Sequence, residues 1–579
     1  MAKSCIQCSK EFDVTDEDRE FYRKIDVPEP MLCSECRQQR RLAWRNERSL
    51  YPRKCAHTGA DMISIYAPDS PWPVFSSDAW YGDMWDQLSV GRDFDFSRPF
   101  FEQYKDVQAV APHLGVNVVG NENSPYINQG WYSKNCYMCF DLGYSENCYY
   151  CAATYYTKDS VDMNFAYDHS ELCYECVGVT KCFRGIFLED CHGCSDVSFS
   201  FDCKNCSDCI LCFNLMNKQY CILNKQYSKE AYEEERKKYN FLSQERLEEI
   251  KKEYSERKQQ AIHRFSLNYQ CENCHGDYLA RSKNMNHCFD CEKSENCAYA
   301  TRIDSDVKDS MDIDHAVEGE LIYEGVAMSG YALAFGYLVV HCQNVEYSEA
   351  LINCNNCFGC VHLHNQEYCI LNKKYSKDEY HTLREKIIEH MKKTGEWGQY
   401  FPPSIAPFGY NETTANEYYP RSKNGALAQG FRWQDDMSFI TGKETMVSIP
   451  DSLIAQDLPV LTGAVLACRA CGRNYKLIKQ ELELYLKIGV AVPRVCFGCR
   501  YMRRFHARNP HALYSRQRFT QKKETTCPGF SEGIPSKSNS GDPAMALRCI
   551  RKNSGQTRQR RELELEFRQS QGQRQQLQS

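Results

Sequence analysis

The chain has no apolar run long enough to cross a bilayer. Its longest, Gly325 to Val340, is rich in Gly and Ser and falls short of the ~20 residues a spanning helix needs. The amino terminus, Met1-Ala2-Lys3-Ser4-Cys5, lacks the apolar core of a secretion signal. Also missing are a nucleotide-binding glycine loop, a hydrolase triad and a metallohydrolase motif. The expectation is a soluble, cytoplasmic protein with no membrane contact, whose cysteines are reduced or metal-bound.

Cysteine is abundant, at 35 in 579 residues. Eight of these thiols form a repeated pattern. Cys5-Ile-Gln-Cys8 and Cys33-Ser-Glu-Cys36 recur as Cys468-Arg-Ala-Cys471 and Cys496-Phe-Gly-Cys499, at a constant offset of 463. Glu20, Tyr22, Arg37, Arg40, Arg41, Leu50 and Tyr51 keep the same register with Glu483, Tyr485, Arg500, Arg503, Arg504, Leu513 and Tyr514. Two C-x2-C pairs form the ligand set of a tetrahedral structural Zn2+ site. A module of ~45 residues buries too little apolar surface to be secure alone, so bound metal would supply much of its folding free energy. Buried free thiols or disulfides are the competing reading.

Phe12, Asp16-Glu17-Asp18, Glu20-Phe21-Tyr22, Pro28, Pro30 and Cys33 to Arg37 resemble the small bacterial zinc-ribbon family with four cysteine ligands. The second copy resembles it in Tyr485, Pro493 and Cys496 to Arg500. The resemblance implies that Cys5, Cys8, Cys33, Cys36, Cys468, Cys471, Cys496 and Cys499 are the ligands. Over roughly residues 1–515 the chain is also similar to a cysteine-rich protein family of uncultivated small-genome bacteria, which implies an architecture and no mechanism.

Charge is segregated. Residues 37–54 carry seven basic residues against one acid, and residues 494–523 carry nine basic residues and no acid, within a chain of net charge -6. Two basic ends thus flank an acidic middle.

From Tyr126 cysteines recur nine residues apart, as at Cys139 and Cys148, then Cys173, Cys182 and Cys191, with Asn or Asp ahead of many of them. Turn formers beside small apolar residues at a fixed short period predict a parallel β-solenoid, with roughly 18 residues per coil if two nine-residue sides close one turn. Asn205-Cys206-Ser207-Asp208-Cys209 returns as Asn353-Cys354-Asn355-Asn356-Cys357, so the solenoid reads as two tandem copies. Ser228 and Ser376 open amphipathic helices, Lys229 to His263 and Lys377 to Lys393, that would cap the coils. The solenoid thiols read as a stacked interior ladder in preference to additional metal sites.

The expected fold is mainly β with helices: two four-cysteine zinc ribbons flanking a duplicated, cysteine-rich solenoid. Its parts are ribbon 1–54, an aromatic-rich irregular α+β segment 55–125, solenoid copies 126–227 and 267–375, a charged helix 228–266, a capping helix 376–396, a Pro-rich linker 397–467, ribbon 468–515 and a disordered tail 516–579. In that tail the family pattern breaks off in the manner of a frameshift or truncation.

The leading functional reading is a non-enzymatic zinc protein. Arg37, Arg40, Arg41, Arg500, Arg503 and Arg504 would meet the phosphates of a nucleic acid or ribonucleoprotein. One alternative is a protein-interaction scaffold that uses the solenoid flank. Another is a carbohydrate-active enzyme built on the acidic cluster Asp304, Asp306, Asp309, Asp312 and Asp314. His362 and His364 read either as a site or as part of a solenoid side.

Overall fold

A positive backbone φ recurs every third residue through the middle of the chain, at Gln129, Tyr132, Asn135, Met138, Asp141, Tyr144, Asn147 and Tyr150. Each such residue turns a corner. Left-handed geometry costs a non-glycine residue ~1–2 kcal/mol, and contacts to the next coil offset it. Asn123, Asn135, Asn147 and Asp159 form a side-chain hydrogen-bond ladder with steps of 2.8, 3.1 and 2.7 Å. Tyr132, Tyr144 and Tyr156 stack with ring centroids 5.5 and 5.0 Å apart.

The computed structural model describes residues 2–515 apart from 438–439 and 447; the tail expected to be disordered, 516–579, lies outside the described residues. The middle of the chain is a parallel β-solenoid in two blocks. One sheet runs from Val118–Val119 to Lys225–Gln226 and the other from Glu272–Ala280 to Lys373–Lys374. Ile127 pairs with Cys139, Phe140 with Ala152 and Cys209 with Cys221, a register step of 12 residues.

The coil therefore has 12 residues in four three-residue sides, which corrects the 18-residue coil expected from the cysteine spacing. Each side hides one residue, so a separation of nine is three sides. The Cys139 thiol donates to the Cys148 carbonyl at 3.3 Å, and the Cys148 thiol to the Thr157 carbonyl at 3.3 Å. Cys136, Cys139, Cys148, Cys151, Cys173 and Cys176 are all buried in this interior.

The second block is less regular. Cys274 pairs with Met285 and Glu295 with Lys308, steps of 11 and 13. Gly330 sits at one register shift with φ +143°, where a Cβ would fall 2.0 Å from the Cys342 carbonyl oxygen.

Both blocks end in an antiparallel strand pair followed by a capped helix. Ser376 and Glu379 form the expected capping box ahead of the helix Lys377–Thr394. The helix expected over Lys229 to His263 is two helices, Lys229–Arg236 and Gln244–Gln260, because Ser243 caps a new start. Leu247, Ile250 and Tyr254 pack on Phe199 and Phe213 of the first block.

The aromatic residues of 55–125 are chiefly core. Trp72, Phe75 and Trp80 are buried, and Phe100 lies 5.4 Å from Phe358 of the second block. Segment 397–467 also enters the core, where Phe401 lies 4.8 Å from the fully buried Trp44. No described helix is long and apolar enough to cross a membrane. Residues up to Leu513 form one compact unit.

Candidate metal centres and their arginine combs

Each ribbon repeats the same small set of elements at the offset of 463. The strands Lys3–Ser4 and Glu11–Phe12 correspond to Leu466–Ala467 and Asn474–Tyr475. The helices Asp16–Lys24 and Ser34–Leu42 correspond to Lys479–Ile488 and Phe497–Phe505. The first knuckle closes through Ser9, whose amide donates to the Cys5 carbonyl at 2.9 Å with φ +60°. Gly472 makes the same bond to Cys468 at 2.9 Å with φ +71°. Cys33 and Cys496 are the N-cap residues of the second helices, where the helix dipole favours a thiolate.

The four thiols of each ribbon converge within 4.8 Å of one another. Cys8 and Cys33 sulfurs lie 3.7 Å apart, Cys471 and Cys496 3.7 Å, and Cys468 and Cys499 3.8 Å. Sulfurs arranged tetrahedrally at about 2.3 Å from a metal ion stand about 3.8 Å apart, whereas a disulfide requires ~2.05 Å. None of the eight is joined in a disulfide, and both tetrads have the spacing to hold a metal ion. The hydrogen bond between Cys33 and Cys36 draws the Cys33 thiol down to about 5, against the cost of burial, and pushes the Cys36 thiol up, so the pair shares one proton in the absence of a metal. Burial opposes charge on Cys468, yet the amides of Cys496, Cys471 and Ala470 bring it down to about 7. Ligands of this kind must lose their protons to bind metal. Among the described residues, no group made of solenoid cysteines converges in this way.

The arginines that follow each second knuckle point inward. Arg37, Arg40, Arg41, Arg500 and Arg504 are all buried; the Arg503 side chain alone keeps 46% of its surface. Their partners are carboxylates of the solenoid, and the pairing is crossed. The first ribbon docks on the second block and the second ribbon on the first.

Arg37 donates Nε and Nη2 to Asp312 at 2.7 and 3.1 Å, and Arg500 donates Nε to Asp162 at 2.7 Å. Arg37 also holds the Leu32 carbonyl, and Arg500 the equivalent Val495 carbonyl, at 2.7 and 2.8 Å. Arg41 pairs with Asp314 and Asp312 at 2.6 and 3.2 Å; Arg504 donates Nε to Asn164 at 2.9 Å and forms an ion pair with Asp162 at 2.9 Å. Arg40 grips Glu324 at 2.8 Å and Arg503 grips Glu175. Behind the comb, Tyr22 meets Tyr323 edge-on at 5.3 Å, as Tyr485 meets Tyr174 at 5.6 Å.

Removing one partner of such a buried pair strands the other charge, at a cost of ~3–5 kcal/mol. The combs therefore make each seam costly to break without adding much net stability. Burial works against charge on Glu175, but Arg503 and Arg504 hold it down to about 2.

The sequence placed Arg37, Arg40, Arg41, Arg500, Arg503 and Arg504 at a phosphate-binding surface; apart from part of Arg503, the structure places them in the ribbon–solenoid seam. It also accounts for much of the acidic cluster. Asp312 and Asp314 are engaged by Arg37 and Arg41, Asp309 lies 3.8 Å from Lys24 and accepts from Asn296, and Asp306 is exposed. Asp162, Glu175 and Glu324 went unrecognised as comb partners. Their signal was the recurrence of Glu175 as Glu324, at the same spacing of 149 that separates Ser145-Glu146-Asn147-Cys148 from Ser294-Glu295-Asn296-Cys297.

Protein-family models and curated proteins were both searched, and neither gave a match.

Proposed function

We propose that this chain is a non-enzymatic zinc-stapled scaffold, in which the two ribbons lock a long β-solenoid and the solenoid flank presents a surface to a protein partner. The observation that carries this reading is the orientation of the combs. Cations buried against Asp312, Asp314, Glu324, Asp162 and Glu175 are not available to phosphates, so the ribbons act on their own chain. The all-thiolate donor set and its spacing favour Zn2+ over harder ions, and the resemblance to four-cysteine zinc ribbons supports the same choice.

On the first block, Tyr132, Tyr144 and Tyr156 form an exposed stacked row. Rigid aromatic rows of this kind suit protein recognition, since each ring brings large contact area at low entropic cost.

Filter binding of the full chain to single-stranded RNA and duplex DNA over a salt series tests the reading. The scaffold predicts no binding that falls steeply with salt. An affinity dropping on the order of 1000-fold between about 50 and 200 mM salt would show phosphate neutralisation by several cations and would restore the nucleic-acid function.

A further inference from the structure

A third convergence of ligand atoms lies away from both ribbons, where segment 55–125 meets the second solenoid block. His113 follows the helix Phe100–Val110, while Glu349 and His362 occupy successive coils. All three side chains are buried. His113 Nδ1 stands 3.0 Å from His362 Nε2, and Glu349 Oε1 stands 3.8 Å from the first nitrogen and 3.7 Å from the second. The circle through three atoms at those distances has a radius of about 2.0 Å, the length of a bond from imidazole nitrogen or carboxylate oxygen to a divalent transition metal.

The remaining atoms are arranged as an outer shell. His113 Nε2 faces the Gln108 carbonyl at 3.0 Å, the contact that orients a ligating imidazole. Glu349 Oε2 accepts from Gln108 Nε2 at 2.7 Å and from the Tyr104 hydroxyl at 3.2 Å. Glu349 Oε1 has no hydrogen-bond partner, although the residue is fully buried. A buried carboxylate oxygen left bare is costly, and a cation at the centre of the three atoms would remove that cost. His362 Nδ1 is also without a partner. His362 lines a cavity of about 10 Å³, room for about one water.

We propose that His113, Glu349 and His362 bind a third divalent first-row transition ion, of the Zn2+ or Fe2+ class, through two imidazole nitrogens and one carboxylate oxygen. The donor set is the two-histidine, one-carboxylate combination that suits these ions. Its position makes it a clip between segment 55–125 and the solenoid.

The test uses the full chain, stripped of metal and refilled anaerobically with Co2+ and, in separate samples, with Zn2+ and Fe2+. The proposal predicts saturation at about three ions per chain, with only about two of the three cobalt ions giving thiolate charge-transfer absorption. Glu349→Gln should lower the count by about one and leave that absorption unchanged. Wild-type protein that saturates at about two ions with every metal, all of them in sulfur-only surroundings by X-ray absorption, overturns it. Because the wild-type count and ligand spectrum decide the matter alone, a variant that fails to fold does not rescue the proposal.

Discussion

Arg37 and Asp312, 275 residues apart in the chain, form a two-point ion pair sealed from solvent. Arg500 and Asp162 make the corresponding contact in the other half. The two pairs are crossed: each ribbon is held by acids belonging to the more distant solenoid block.

Breaking one such pair should be expensive, and removing both partners much less so. Arg37→Ala and Asp312→Asn are each expected to lower stability by ~3–5 kcal/mol, whereas a double replacement by leucine and methionine should cost clearly less than the two single losses added together, the remainder reflecting Arg41 and the Leu32 carbonyl, which each lose one partner. Denaturant unfolding followed by ribbon-specific proteolysis measures this. Single variants as stable as wild type would mean the seam is wet or open.

Metal content separates the two kinds of cysteine. Cys33→Ser and Cys496→Ser should each lose about one metal ion per chain, since a tetrahedral site does not survive the loss of a thiolate. Cys139→Ala and Cys191→Val, inside the solenoid, should keep the full count and cost on the order of 1 kcal/mol through altered packing. Elemental analysis of purified variants reads both outcomes.

Acid should loosen the second ribbon through Glu175. Its carboxyl, held at about 2 in the folded chain against an ordinary value of 4.5, contributes stability that is complete above the unfolded value and is lost as pH falls towards 2. The contribution is on the order of 3 kcal/mol. Glu175→Gln should therefore be clearly less stable than wild type near pH ~7, with the gap narrowing by about pH 3. A gap of constant size across that range would remove the carboxylate from the account.

Gly330 marks a point where the second block has no room. A methyl group there would meet the Cys342 carbonyl at 2.0 Å with φ at +143°, a backbone region essentially confined to glycine. Gly330→Ala should lower the thermal midpoint strongly, while Gly463→Ala, which has nothing within 4 Å, should not.

The ribbons were legible because four ligands to one ion must keep their spacing, and Cys5 to Cys36 repeats without slippage as Cys468 to Cys499. The solenoid was legible as a class and misread in its period. Cys139 and Cys148 stand on the first and last of four successive sides, and the two sides between them are filled by Leu142 and Ser145, which carry no cysteine signal. The arginines were visible and their direction was not, because a run of bases reads the same whether it faces water or buried acids. The acids facing them, Asp162 and Glu175, are brought together by a local step of 13 residues, in which Val161 pairs with Tyr174 and Met163 with Cys176, a departure from the regular 12 that no cysteine spacing marks. The cluster of His113, Glu349 and His362 was beyond reach for a similar reason, since the Gln108–His362 neighbourhood joins residues from two distant segments.

Zero-length carbodiimide cross-linking of the monomer, read by mass spectrometry, tests the crossed docking most directly. Lys487 lies 2.7 Å from Asp159 and Lys24 lies 3.8 Å from Asp309. The account predicts the linked pairs Lys487 with Asp159 and Lys24 with Asp309. Links from Lys24 to Asp159 and from Lys487 to Asp309, or ribbon lysines that link to neither block, would contradict it.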